Sequence, residues 1–246
     1  MKYMKNIPLD IEYIRTIAGA IPDAYYLYKE HVDENNFPTD NGREGEIWNY
    51  INKCISDGIP VDQFQLVVMN RGRWKFLGIF DKKEGYLYTL MREKNLANIQ
   101  KKISDHLFHY LNALSTLNDD LAKNYEPIYE QLAMFDMDMY DAEQNIILEK
   151  ILISMIQKFD SRIKRYVLIA FDNDRYGNVS DIKGIIPAKG LNFFKEENWT
   201  IYLDAEYNLT DTSTQESEGS NDVILLQRKA NIKRVDKENT EKKVNE

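Results

Sequence analysis

Apolar residues recur at helical spacing in the first sixty positions of the chain. Ile7, Ile11, Ile14, Ala18 and Ile21 follow one another at steps of four and three residues. This period predicts a short amphipathic helix that Pro22 ends. A second helical run carries Ile47, Ile51, Cys54 and Ile55, and Gly58 and Pro60 mark its end. The amino-terminal part is therefore predicted to be helical.

The pattern then changes to β-branched and aromatic runs. Three such runs cover residues 64–69, 73–80 and 86–91, and short polar segments that contain Gly72 and Gly85 separate them. Runs of this composition with tight turns between them are typical of an antiparallel meander.

Helical spacing returns over residues 95–117, 128–135 and 146–159, and β-like runs follow at 166–171, 179–186, 200–203 and 223–227. Because strands and helices are segregated along the chain, the pattern favours an α+β fold. We expect an antiparallel meander plus C-terminal strands packed against long amphipathic helices. The favoured arrangement joins the two halves, on one mixed sheet.

The expected organisation is one α+β domain over residues 1–227 and a charged, flexible tail over residues 228–246. The acidic, Met-rich link at 136–141 leaves an internal boundary near 126–141 as the alternative.

The longest apolar run, Tyr166 to Phe171, has six residues, far fewer than the roughly 18 that a membrane span needs. Cys54 is the single cysteine, which excludes a disulfide framework and a cysteine zinc site. The amino terminus shows no apolar signal segment. We therefore expect a cytoplasmic protein without membrane contact. Lysine outnumbers arginine by 22 to 10, as A/T-rich codons would produce, which hints at a microbial origin.

Charge is distributed unevenly. The chain has a net charge of −8, yet residues 70–102 hold nine basic and three acidic side chains. Aromatic residues interleave with these cations, a combination that binds single-stranded nucleic acid. The candidate binding residues are Arg71, Arg73, Trp74, Arg92 and Lys94, and the candidate partner is RNA, single-stranded DNA or another protein. The alternative is that Trp74, Phe76 and Phe80 point into the core while the charges face solvent and the protein's own acidic helices.

A nuclease of the PD-(D/E)xK kind is the competing hypothesis. Glu46, Asp62, Asp81 and Lys83 occur in the required order. In such an enzyme carboxylates hold Mg²⁺, which activates water, and a lysine stabilises charge on the scissile phosphate. The leading interpretation needs no cofactor and no metal; only this alternative requires Mg²⁺.

Asp172-Asn173-Asp174 follows an apolar run and resembles the metal-binding Asp-x-Asp of Toprim domains. The segments expected before and after it in a Toprim domain do not match. We therefore interpret these residues as a hairpin loop, in which Gly177 supplies a positive φ.

Residues Phe64 to Asn95 resemble a meander in a family of uncharacterised bacterial proteins of unknown function. The resemblance implies a microbial accessory protein of the sort carried by mobile elements or phage-defence loci, and it brings no catalytic residue. The expected function is that of a non-enzymatic binding or regulatory protein that contacts an anionic partner through its basic, aromatic meander.

Overall fold

The computed structural model describes residues 6–102, 108–124, 142–160 and 162–203. The helices in this part of the chain are α1 (Ile11–Asn35), α2 (Arg43–Gly58), α3 (Glu93–Lys101), α4 (Tyr110–Ser115) and α5 (Ala142–Ile156), with 3₁₀ helices at Thr116–Asn124 and Thr200–Tyr202. The strands are β1 (Phe64–Arg71), β2 (Trp74–Asp81), β3 (Tyr86–Arg92), β4 (Arg165–Asn173), β5 (Val179–Pro187) and β6 (Phe193–Asn198).

All six strands form one sheet in the order β1-β2-β3-β4-β5-β6. Neighbouring strands are antiparallel except β3 and β4, which run parallel at the centre. The sheet thus consists of two three-stranded meanders placed side by side, with the helices between them in the chain making the crossover from β3 to β4. The expected α+β class and the expected single mixed sheet are both confirmed.

Helices cover both faces of this sheet, and the central strand β4 is apolar and buried from Tyr166 to Phe171. In β4, Val167, Ile169 and Phe171 pack with α1 and α2 on one face. Tyr166, Leu168 and Ala170 pack with α3, α4 and α5 on the other. A strand buried on both faces reads as a continuous apolar run rather than an alternating one, as the run at 166–171 does.

The first helix is longer than its sequence predicts. α1 begins at Ile11 and continues through Pro22 to Asn35. Proline removes one backbone hydrogen bond from a helix interior. Here the buried stripe continues beyond it with Ala24 and Tyr28, so packing against the sheet maintains the helix. The prediction that Pro22 ends the helix is wrong.

The helix predicted over residues 95–117 is interrupted. α3 ends at Lys101, and α4 begins at Tyr110. His109 has an extended backbone and accepts a hydrogen bond from the amide of Leu111, so it caps a new helix. The local cap thus overrides the periodic pattern.

The last part of the described chain also departs from expectation. Residues 200–203, predicted as a strand, contain the 3₁₀ helix Thr200–Tyr202, whereas β6 occupies the charged segment Phe193–Asn198. A sheet edge tolerates such a polar strand because only one side of its backbone is paired. The helical and strand-like runs at 128–135 and 223–227 lie outside the described residues.

Every described residue lies within one compact unit, Met1–Tyr207. The predicted boundary at 227, the tail at 228–246 and the alternative boundary at 126–141 fall outside the described residues and stay predictions. Among the helices described here, none has the length and apolar character to cross a membrane.

The two ends of the sheet differ in what they carry. The arm end contains the carboxyl termini of β3 and β4 and the turn between β1 and β2. The first turn of α2 also lies there, because Glu44 in that turn accepts a hydrogen bond from Arg92 at the end of β3. The turn end holds the amino termini of β3 and β4 and the turn at residues 81–85. About 20 Å separates the ends, since β3 rises ~3.3 Å per residue.

Candidate nucleic-acid interface

The β1–β2 hairpin extends beyond its pairing with the rest of the sheet. β1 and β2 pair from Phe64 and Asp81 up to Arg71 and Trp74, but β2 pairs with β3 only from Gly78 to Asp81. Residues 68–77 therefore form a two-stranded ribbon at the arm end, which we call the hairpin arm. Gly72 has a φ of 58° at the first central turn position, as a tight type II′ hairpin turn requires.

Aromatic contacts attach the hairpin arm to the helices. The ring of Trp74 meets Trp48 of α2 edge-on, with centroids 6.4 Å apart, and Trp48 in turn packs on Phe171 of β4. Phe76 is buried against Tyr110 of α4, with centroids 4.7 Å apart. These contacts attach the ribbon to α2 near its tip and to α4 farther along β2, while 42% of the Trp74 side chain stays accessible.

The cations of the hairpin arm are exposed. Arg71, Arg73 and Lys75 all lie on its surface, and none of them forms an ion pair with a described residue. The guanidinium of Arg71 lies 5.8 Å from the centroid of the Tyr110 ring. Burial raises the pKa of the Tyr110 phenol, and Arg71 acts in the opposite direction. The hairpin arm thus carries three exposed cations and one partly accessible indole.

Arg92, at the end of β3, is in a different situation. Its Nη1 donates to Glu44 Oε2 at 2.6 Å and its Nη2 donates to the hydroxyl of Tyr25 at 2.8 Å. Lys94, two residues later in the first turn of α3, is exposed and forms no ion pair within the described residues. The five predicted binding residues thus lie at one end of the sheet, but Arg92 is paired with one of the protein's own carboxylates.

Sequence reasoning missed the residues that hold this end together. Tyr25 receives hydrogen bonds from both Arg92 and the side chain of Asn173, so one hydroxyl links α1 to the ends of β3 and β4. Gly177 lies against the Tyr25 ring with a φ of 93°, where a larger residue would clash. Nothing in the spacing of these residues signals a contact, because they are distant in the chain.

A network of charged side chains around Lys183 also lies at the arm end, on the face of the sheet opposite to Tyr25. Lys183 Nζ is 2.8 Å from Glu93, 3.1 Å from Asp181 and 3.9 Å from Glu196. The hydrogen bond with Glu93 raises the pKa of Lys183. Burial would raise the pKa of Asp181, but the hydroxyl of Thr200 and Lys183 together hold it below its usual value. Lys183 therefore remains protonated, and its ion pairs stabilise the fold.

The four residues of the nuclease hypothesis do not share a site. Glu46 lies near the start of α2 at the arm end, whereas Asp81 lies at the turn end. Asp81 is buried, and its Oδ1 accepts hydrogen bonds from the amides of Lys83 and Glu84 at 2.8 and 2.9 Å. Asp62 and Lys83 are exposed. The Asp81 carboxylate is thus engaged in closing its own turn.

Asp172 and Asn173 are the last residues of β4, and Asp174 begins the hairpin loop to β5, so the loop interpreted from the sequence is present but starts two residues later. Asp174 accepts hydrogen bonds from the amides of Tyr176 and Asn178 and from the side chain of Asn178. The carboxylate oxygens of Asp174 therefore stabilise the conformation of the loop. Across the described residues, no group of three or more His, Cys, Asp or Glu side chains is arranged to hold a metal ion.

Comparison with known proteins gives one match. The model of a family of unknown function, DUF5986, matches residues 6–246. No curated protein and no solved structure matches.

Proposed function

The chain belongs to DUF5986, a family of unknown function, and we propose that it is a non-enzymatic protein that binds single-stranded nucleic acid through its hairpin arm. One observation carries the proposal: Arg71, Arg73 and Lys75 are exposed on the same short hairpin as the partly accessible indole of Trp74, and none of the three has an acidic partner among the described residues.

Each part of the hairpin arm suits a part of such a ligand. Arginine and lysine bind phosphate, which supplies most of the affinity for nucleic acid and makes binding salt-dependent. An accessible indole stacks on a base whatever its identity. A single strand exposes its base faces, whereas a duplex covers them, so Trp74 favours RNA or single-stranded DNA over a duplex. The net charge of −8 does not oppose this, since only the local field at the hairpin arm meets the ligand.

The first experiment measures binding of a fluorescent single-stranded oligonucleotide by anisotropy over a salt series. Three phosphate contacts predict a slope of about −2 for log K against log salt, at ~0.7 per contact on a single strand. The double variant Arg71→Ala/Arg73→Ala should lower the slope magnitude by about 1.4 and weaken binding at least tenfold. Lys82→Ala/Lys83→Ala is the matched control, since it removes two cations of the same meander at the turn end.

A second variant tests stacking. Trp74→Ala should weaken binding by about five- to a hundredfold, because base stacking on an aromatic ring contributes ~1–3 kcal/mol. Trp74→Phe should restore part of the loss, since it retains an aromatic face. Equal affinities for the Ala and Phe variants would show that the indole does not stack.

Three results would overturn the proposal. Binding that does not depend on salt would exclude phosphate contacts. Preference for an acidic protein over every oligonucleotide would assign the hairpin arm to a protein partner. Mg²⁺-dependent cleavage by the intact protein that Asp81→Asn abolishes would favour the nuclease hypothesis.

We also propose a setting for this binding, the cytoplasm of a bacterium, where the protein would serve a mobile-element or phage-defence system as an accessory. The support is the lysine-rich, single-cysteine composition and the resemblance of the meander. Nucleic acid that co-purifies from a bacterial host, and plating efficiency of phage with and without the gene, would test it. A protein purified free of nucleic acid that leaves phage plating unchanged would contradict it.

A further inference from the structure

The ion pair between Glu44 and Arg92 adjoins the proposed interface. Glu44 lies in the first turn of α2, four residues before Trp48, so the two side chains share one helix face about 6 Å apart along the axis. Trp48 is the residue on which Trp74 rests. Arg92 is also the strand partner of Phe171, which packs on Trp48 as well. Arg92 is thus connected to Trp74 through Phe171 and Trp48.

Arg92 is held in place independently of Glu44. Its Nη2 donates to the Tyr25 hydroxyl, which Asn173 holds in turn. Its Nε is buried and has no acceptor in the described part of the structure. The Arg92 side chain is 21% accessible, and its Nη1 group donates a hydrogen bond to Glu44. A guanidinium fixed in this way has lost most of its rotational freedom before any ligand arrives.

Glu44 is held much less firmly. Its side chain is 63% accessible, and Arg92 is the partner that the structure gives it. An ion pair with one exposed partner contributes little to stability, typically 0–1 kcal/mol. Glu44 is therefore free to turn into solvent when a stronger anion reaches Arg92.

We propose that Arg92 is an additional phosphate contact of the interface and that Glu44 competes with the phosphate for it within the free protein. When a strand binds, one of its phosphates replaces the Glu44 carboxylate on Nη1, while the neighbouring base stacks on Trp74. This inference rests on the proposed function. It adds that the protein weakens its own affinity through Glu44.

The test is a double-mutant cycle in the anisotropy assay on the full chain. Glu44→Gln should strengthen binding about two- to fivefold, the effect of removing a competing surface ion pair. It should leave the salt slope near that of the wild type, because both complexes contain the Arg92–phosphate contact, whereas Arg92→Gln should lower the slope magnitude by about 0.7, the share of one phosphate contact. Arg92→Gln should weaken binding, and in its background Glu44→Gln should have no effect beyond that of the control.

The control is Asp40→Asn, which removes an exposed negative charge just before α2 and leaves the ion pair intact. It measures the general effect of lowering the local negative charge. Because Arg92→Gln removes a bond to Tyr25, its folding is checked by circular dichroism. Arg92→Lys serves as a second variant that keeps the charge and loses the planar fork.

The outcomes separate the two proposals. If the wild-type protein binds no single-stranded oligonucleotide, the proposed function fails, and this inference fails with it. If the wild-type protein binds and Arg71→Ala/Arg73→Ala weakens it, the function stands. This inference is then overturned on its own if Glu44→Gln matches Asp40→Asn, or if its gain persists with Arg92→Gln.

Discussion

The two turns of the first meander, both polar and both rich in charge, use their side chains in opposite ways. In the hairpin arm, Arg71 and Arg73 lie on the surface without ion-pair partners among the described residues. In the turn at residues 81–85, Asp81 is buried and bonded to two amides of its own turn. The Asp81 carboxylate is committed to closing its own turn, whereas the cations of the hairpin arm are exposed, so the hairpin arm is the stronger candidate for ligand binding.

The same contrast extends to the ends of the sheet. At the turn end, Asn118 is fully buried and bonds to both the amide and the carbonyl of Tyr166 and to the carbonyl of Pro187. At the arm end, Glu44 and Arg92 meet near the surface. The turn end thus contains buried polar contacts that stabilise the fold, and under our proposal the arm end is where the ligand binds.

The largest effect expected from this contrast is on Asn118. Asn118→Ala removes the side-chain hydrogen bonds to three buried backbone groups and should lower the free energy of unfolding by about 3–5 kcal/mol. Urea denaturation followed by tryptophan fluorescence measures it. Asn70→Ala, the same change at an exposed position of the hairpin arm, should cost less than ~0.5 kcal/mol. Similar losses of unfolding free energy for Asn118→Ala and Asn70→Ala would contradict the difference between the two ends of the sheet.

Asp81 should show an intermediate effect. Asp81→Ala removes the acceptor of two turn amides and should destabilise the protein by about 1–3 kcal/mol, whereas Asp81→Asn, which retains an acceptor, should cost less. The exposed carboxylate of Asp62 at the same end is the control, and Asp62→Ala should leave the denaturation midpoint nearly unchanged. Oligonucleotide affinity should be unaffected in all three variants. An Asp81→Ala protein as stable as the wild type would contradict the structural role.

The smallest effect concerns acid stability at the arm end. Thr200 donates to Asp181 at 2.6 Å and helps hold the pKa of Asp181 below its ordinary value of 3.8. A lowered carboxyl pKa contributes stability that is complete above the unfolded pKa and is lost as the pH falls through the folded one.

Thr200→Val should therefore cost about 1 kcal/mol or less at pH 7 and less still below pH 3.8. Urea midpoints measured at both pH values test this, with Thr200→Ser as the control that keeps the hydroxyl. A cost that stays constant with pH would show that the hydroxyl does not act through Asp181.

Much of the fold follows from local pattern. The runs at 64–69, 73–80 and 86–91 predict β1, β2 and β3 closely, and the six apolar residues from Tyr166 to Phe171 lie within β4. β6 escaped prediction because an edge strand needs no apolar period, and α1 extended past Pro22 because packing compensates for one lost hydrogen bond. The sequence also placed Arg71, Arg73 and Trp74 in one candidate interface, a grouping that stays a prediction for binding.

The sequence by itself determined the class of fold and the clustering of basic residues at positions 70–102. Hydrophobic periodicity and composition are local properties, so neighbouring residues in the chain are enough to define them. Only the tertiary structure decided which of these charged side chains form ion pairs within the protein. Arg92 and Arg71 belong to one basic run, yet only Arg92 meets a carboxylate, since α2 brings Glu44 to the end of β3. Such pairings join residues 48 positions apart in the chain, and long-range packing, not spacing, sets them.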